Sequence, residues 1–411
     1  MQSLLIRSGI FSLGAALTVT MGCGHNRASE GKSGHPTATA GTSTSNQSAG
    51  RGGHAGRNAT ASVRSQPPKH HLTEAEIRKY LRKNPGRAKL HFALALRLHK
   101  KGDLGNAAVE YETAARLKPD LFEAHFNLGL LRLKQHDFKK AYDAFRQASS
   151  VQPNNFMALM DMGLAATRSG DLAAANRAYM RAAEVKQTNG QPLFFAGRIM
   201  EARKRVREAK ALYEQAAQRG YDSAELHTRL GLLAMRRKQY QAARTEFENA
   251  IKIDEHDGPA LRQLGALLLH FKEFAKAADV LTKAVAVDPN KPVAQYNLGL
   301  AALQTKRYDV AAKAMEQAAR LDPRNLMAAL SQAVALLFLD SVAKGSALLR
   351  RTLHKKHSLW IYLPPYFDPM TKNHHLRSAA AMLEAIIAVH PRRVFRKNLK
   401  ILKARIKRGE K

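Results

Sequence analysis

Between Ala88 and Asn325 this chain repeats itself every 34 residues, and that period limits the fold more than any other feature. Gly129, Gly163, Gly197, Gly231, Gly265 and Gly299 are each 34 apart, with Ala95 at the matching place in the first copy. Ala107, Ala141, Ala175, Ala209, Ala243, Ala277 and Ala311 keep the same step, as do Ala114, Ala148, Ala182, Ala216, Ala250, Ala284 and Ala318. Each copy carries two apolar stretches at helical spacing, such as Leu128-Leu131-Leu133 and Phe138-Ala141-Phe145-Ala148. Between them lies a turn such as Lys101-Gly102-Asp103, His136-Asp137 or Ser169-Gly170-Asp171. The spacing predicts a helix–turn–helix unit in which small residues sit where backbones must approach. The large residues Tyr111, Phe145, Tyr179, Tyr213 and Phe247 are expected to fill the gap to the neighbouring unit. Pro119, Pro153, Pro289 and Pro323 stop the second helix, because proline lacks the N–H that another turn needs. Gln187, Tyr221 and Glu255 stand in that place in the other copies.

These residues resemble the tetratricopeptide repeat, over about three-fifths of the chain. The resemblance implies an all-α, right-handed superhelical solenoid of about seven repeats (88–325) with helical caps. Such a solenoid is one quasi-one-dimensional domain, since each unit touches only its neighbours.

The ends read differently. Arg7 precedes a mostly apolar run, Ser8 to Met21, too short to span a membrane, which leads into Gly22-Cys23-Gly24. Residues 1–22 look like a bacterial lipoprotein signal, with cleavage before Cys23, the only cysteine. That resemblance implies a lipidated Cys23 and an exported protein. Gly24 is similar to the residue found in lipoproteins sorted to an outer membrane facing the periplasm. Ordinary secretory cleavage or an uncleaved anchor would export the chain as well. Residues 23–71 are rich in Gly, Ser, Thr and His and nearly free of large apolar side chains, which predicts a disordered tether. Its 48 residues after Cys23 give a reach on the order of 35–40 Å. Thr73 and Glu76 form a capping-box pattern that opens a helix within 72–87, expected to cover the first repeat. Beyond Asn325, residues 326–390 read as a degenerate repeat, an aromatic and proline-rich loop (Trp360 to Asn373) and a helix; 391–411 reads as a basic amphipathic helix.

The resemblance implies that the first helix of each unit lines a concave groove. One stripe is then Phe92, Phe126, Met160, Phe194, Thr228, Arg262 and Tyr296, and a second is Leu96, Leu130, Leu164, Arg198, Leu232, Ala266 and Leu300. Asn127, Asp161, Arg229, Gln263 and Asn297 run between them. The front of the groove is apolar and the back more polar, which suits an amphipathic helix or extended segment of a partner protein, or simply packing on the adjacent unit. The carboxylate-holding Lys, Asn and Arg of co-chaperone members are not matched, because Phe92, Phe126 and Leu130 occupy several of those places.

Lys and Arg number 67 against 33 Asp and Glu, a net charge of +34. Arg392, Arg393, Arg396, Lys397, Lys400, Lys403, Arg405 and Lys407 crowd the end of the chain, with Phe395, Leu399, Leu402 and Ile406 on one helical face. That helix is either a solubilising cap or a surface for anionic lipid, saccharide or acidic protein. An acidic habitat would account for the charge without any ligand, and an exported protein seldom meets nucleic acid. His70-His71, His374-His375, His25, His35 and His54 lack the further ligands a metal needs. No Ser–His–Asp spacing, phosphate-cradling loop or carboxylate pair suggests catalysis, and no cofactor is implied. The expectation is a non-catalytic scaffold for segments of envelope or secretion-machinery proteins; the rival is electrostatic binding of an anionic polymer or membrane through the C-terminal helix and a basic stripe along the repeats, Lys100, Lys134, Arg168 and Arg236.

Overall fold

The computed structural model describes residues 72–372 and 375–409. Cys23, the signal-like segment and the tether lie outside the described residues. Helix α1 (Glu74–Lys83) begins with a closed capping box: Thr73 accepts from the Glu76 N–H while the Glu76 carboxylate accepts from the Thr73 N–H at 2.7 Å. Eight helix pairs follow. They are α2–α3 (Ala88–Lys101, Leu104–Leu117), α4–α5 (Phe122–Lys134, Phe138–Val151), α6–α7 (Phe156–Ser169, Leu172–Val185), α8–α9 (Gln191–Ala202, Val206–Gln218), α10–α11 (Ala224–Arg236, Tyr240–Ile253), α12–α13 (Gly258–His270, Phe274–Val287), α14–α15 (Pro292–Gln304, Tyr308–Leu321) and α16–α17 (Leu326–Phe338, Val342–Lys355). A 3-10 turn (His357–Tyr362) and helices α18 (Pro364–Lys372), α19 (Leu376–Val389) and α20 (Arg393–Lys407) complete the chain. There is no strand among the described residues.

The solenoid therefore has one pair more than the seven regular repeats. The eighth unit exchanges its small residues: Ala333 stands at the glycine position and Gly345 at the alanine position. A Cβ on Gly345 would lie 3.1 Å from the Ala333 carbonyl oxygen, so the close approach survives with the roles of the two helices reversed.

The small residues face inward. A Cβ added to Gly129, Gly197 or Gly231 would stand 2.6 Å from the ring of Phe145, Tyr213 or Phe247 respectively. Each ring belongs to the same unit as its glycine. The rings also reach the neighbouring unit, as expected: Tyr179 stacks on Phe195 at 5.2 Å, and Phe145 shares a cluster with Ala165. They fill the crossing of their own two helices as well, and alanines share the joints with them: Ala114 clusters with Ala124 of the next unit, and Ala141 with Ala165.

Prolines are not needed to end the second helices. α7 and α11 stop at Val185 and Ile253, the same 34-residue places at which α5 and α13 stop before Pro153 and Pro289. In α9 the end is made by Gly220 at φ +75°, with the Tyr221 N–H donating to the Ala216 carbonyl. The turn between the helices of a pair always passes through a left-handed residue. It is Gly102 and Gly170 in two units and His136, Lys204, Lys238, Lys272, Lys306 or Asp340 in the rest.

First helices of successive units touch one another at α4–α6, α10–α12, α12–α14 and α14–α16, whereas second helices do not to a comparable extent. The stack therefore curves with the first helices on its inner wall. At the far end α19 packs on α17 as a ninth first helix would, and α20 packs on α19. Of the segment expected as a loop over Trp360 to Asn373, the described part, to Lys372, is helical instead, because its aromatic side chains have a surface to pack on: Tyr362, Tyr366 and Phe367 join the hydrophobic core built by α14, α16 and α19.

Candidate protein-binding groove

The inner wall divides into three stretches. At the front, α2, α4 and α6 present an open apolar strip. Leu96, Leu130 and Met157 are exposed by 43%, 36% and 57%, beside half-buried Phe92, Phe126, Met160 and Leu164. Phe126 is held upright by stacking on Phe122 at 5.4 Å and by an edge contact with Phe145 at 5.6 Å. Asn127 uses its amide on the Glu123 carbonyl one turn back, at 2.7 Å. Asp161, beside Met160, is half-buried.

The middle of the wall is charged and internally paired. Arg229 donates to Glu201 at 3.1 Å and to Glu225 at 3.2 Å, and Arg198 lies 3.6 Å from Glu225. Glu201 also accepts from the Tyr213 hydroxyl at 2.9 Å. Burial and the adjoining Glu201 carboxylate both push the Tyr213 phenol up from its ordinary value. Thr228, 5% exposed, donates to Asp257 at 3.0 Å. Arg262 and Gln263 are half-buried. Burial pulls the Arg262 guanidinium down, opposed by Asp288 and Asp257, and it makes no ion pair within 4 Å among the described residues.

The back is closed by the protein itself. Tyr296 and Leu300 on α14 join the same core as Tyr362 and Tyr366 of the C-terminal segment, and the four line one cavity between that segment, α14 and α16. Burial beside Tyr366 and Tyr362 pushes the Tyr296 phenol up to about 12. Two further groove assignments fall with it. Asn297 is 3% exposed, because α14 is packed between α12 and α16. Phe194 is 1% exposed: its ring lies against Tyr221 at 4.9 Å, Phe195 at 5.5 Å and Tyr213 at 5.7 Å. Tyr221, in the place of the proline, is thus the lid on Phe194. The accessible groove comprises Phe92, Phe126, Asn127, Leu130 and Met160 with Asp161, and behind them Arg229, Arg262 and Gln263.

A pairing within each unit escaped sequence reading. Where the ring over the crossing is tyrosine, the residue twelve before it is polar: His99 with Tyr111, Thr167 with Tyr179, Glu201 with Tyr213. Where it is Phe, Leu or Met, the partner is apolar, as in Leu133 with Phe145 and Met235 with Phe247. The co-variation is visible in the sequence once both positions are known to meet, because a buried phenol needs a partner. Tyr111 is the exception. Its hydroxyl is buried with no protein partner and its phenol is pushed up to about 12 by burial.

The basic helix α20 keeps Arg392, Arg393, Arg396, Lys397, Lys400, Lys403 and Lys407 exposed, with Arg405 half-buried. Its apolar face is already used. Leu402 is 3% exposed, and Phe395, Leu399 and Ile406 pack into the terminal core. The reading in which that face lies in a lipid surface is therefore corrected: besides the charges, the only large apolar side chains this helix leaves exposed are Val394 and Ile401. Lys403 pairs with Glu384 on α19 at 2.8 Å, and Arg392 stands over the Trp360 ring at 5.6 Å. Of the histidines singled out, His375 bonds to Asp340 at 2.8 Å, and the others lie outside the described residues. Among the described residues no three His, Cys, Asp or Glu are grouped to hold a metal, and no helix is long and apolar enough to cross a membrane.

No curated protein matches the sequence. Among solved structures, YrrB, a TPR protein with an unusual peptide-binding site, is 21% identical with a TM-score of 0.41, over 46% of this chain and 96% of that one. PilF of Pseudomonas aeruginosa is 20% identical with a TM-score of 0.43, over 49% and 92%. MamA of Desulfovibrio magneticus RS-1 is 22% identical with a TM-score of 0.35, over 41% and 96%. Family models described as TPR repeat and Tetratricopeptide repeat match residues 95–136 and residues 126–192, 197–258, 239–292, 263–325 and 296–355. The matched stretches take in more than half of the 411 residues, and with eight stacked helix pairs this chain belongs to the tetratricopeptide repeat family.

Proposed function

We propose that this protein–protein interaction scaffold holds a peptide segment of an envelope or secretion-machinery protein against the α2–α6 wall, tethered through a lipidated Cys23 on the periplasmic side of a bacterial outer membrane. The family is one of non-catalytic interaction scaffolds. The observation that carries the groove assignment is the exposed apolar strip Leu96, Leu130 and Met157, the part of the inner wall that the chain neither buries nor neutralises. An extended or amphipathic segment with alternate apolar side chains fits such a strip, with Asn127 and Asp161 fixing its backbone. The anchor rests on sequence: Arg7, the apolar run to Met21, and Gly22 before Cys23.

A photoreactive residue at Leu130 is expected to crosslink an envelope protein in cells. The double substitution Leu96→Asp and Leu130→Asp is expected to abolish that capture with helix content unchanged. Capture that survives it removes the groove from the function. Phe194→Asp is no substitute, because a charge there would enter the core. The mass of the mature N-terminus decides the anchor: an acylated cysteine supports it and an unmodified one refutes it.

The exposed cations of α20 support a second reading, an electrostatic contact with anionic lipid or saccharide. Raising salt from about 50 to about 500 mM contracts screening from roughly 14 to 4 Å. A complex that ignores this change belongs to the apolar strip, and one that dissolves belongs to the charges.

A further inference from the structure

The C-terminal segment does not seal the back of the groove completely. Between it and the inner wall lies a cavity of about 290 Å³. This is at the small end of the range of small-molecule sites, about 300–1,000 Å³. Leu300 on α14 and Leu330 on α16 form its floor, and Tyr362 and Tyr366 its roof. The only charge on its lining is Lys306, from the turn between α14 and α15; no carboxylate lines it. The phenol hydroxyls of Tyr296, Tyr362 and Tyr366 make no hydrogen bond to any described residue, so they remain able to donate. The walls are thus mostly apolar, and their polar groups are the Lys306 ammonium, the tyrosine and Ser331 hydroxyls and the Gln304 amide, with no carboxylate among them.

We propose that this cavity is a binding site for a small anionic amphiphile, an unbranched apolar chain ending in a carboxylate, with the chain between α14, α16 and α18 and the head group at Lys306. The complementarity is specific in sign. An ammonium head would meet the Lys306 cation and no carboxylate, whereas a carboxylate head meets a cation and no carboxylate that would repel it. The net charge of +34 favours approach of an anion to the rim. The chain's hydrophobic burial supplies affinity and the head group supplies orientation. This site is separate from the α2–α6 strip, and its test does not depend on that assignment.

The full chain is titrated calorimetrically with hexanoate, octanoate and decanoate, each below its micellar concentration. One saturable site is expected, tightening about fourfold per added methylene until the cavity is filled. Decylammonium is expected to show no such site. Lys306→Glu, on an exposed turn, is expected to weaken decanoate about tenfold. Met327→Trp, filling the cavity from α16, is expected to abolish binding with helix content unchanged; if it lowers the helix content, Leu300→Trp from α14 carries the same expectation. The absence of a saturable site overturns the proposal. So does decylammonium binding as well as decanoate. Binding at many sites that ignores both substitutions would be adsorption to the basic surface, and would overturn it too.

Discussion

At the scale of the residue, stability depends on two positions of every unit. The first is the helix crossing. Gly197→Ala drives a methyl to 2.6 Å from the Tyr213 ring, which is fully buried and bonded through its hydroxyl to Glu201. The ring cannot retreat without breaking that bond, so the substitution is expected to cost about 1–3 kcal/mol, read from the urea midpoint. The second is the left-handed residue of the turn. Lys238 sits at φ +58°, where a side chain crowds the following carbonyl, and Gly102 shows the relaxed solution. Lys238→Gly is expected to stabilise the chain by about 0.5–1 kcal/mol, the relief of strain less the added entropy of the unfolded glycine. Each position was legible as a repeating small or turn residue, but in different degrees. The glycines announce themselves by recurring. The lysines at the turn do not, since nothing in the residue type signals positive φ, and the backbone adopts it because the surrounding hydrogen bonds fix both helices. Phe194 shows a further limit. Its stripe position is that of exposed groove residues, and only the fold brings Tyr221 down upon it.

At the scale of the element, the repeated helices could be read from the sequence because each one copies its neighbours, and the C-terminal elements could not because they copy nothing. The segment from His357 to Lys372 packs on α14, some sixty residues earlier, and no periodicity encodes a contact of that kind. Its density of Tyr, Trp and Pro signalled packing without saying against what. Helix α20 was legible as amphipathic, and its apolar face decides its role. Leu402, 3% exposed against α19, ties down the end of the solenoid. Leu402→Ala is expected to cost about 2–4 kcal/mol locally. Hydrogen exchange should show it as lost protection in α19 and α20, with α2 to α9 unchanged, since each unit answers only to its neighbours.

At the scale of the whole molecule, the excess of basic charge leaves the carboxylates in cationic company. Side-chain hydrogen bonds from Lys276 and Arg244 hold the Glu273 carboxyl below its ordinary value, and those from Lys101 and Arg78 do the same for Glu74. A depressed carboxyl contributes stability that is complete above its unfolded value, about 4.5, and is lost as pH falls below it. Stability is therefore expected to be level above that value and to decline in more acid solution, with Glu273→Gln making the decline shallower in urea unfolding followed as a function of pH. The closed back of the groove has a separate consequence, for the geometry of any guest polypeptide. A strand laid along the inner wall from α2 can advance only until it meets Tyr362 and Tyr366, so the wall is a blind channel rather than an open gutter. The free run from α2 to α12 is roughly 40–50 Å if neighbouring first helices stand about 8–10 Å apart. It has room for about 12–15 residues of extended guest, and the guest must either end there or turn outward.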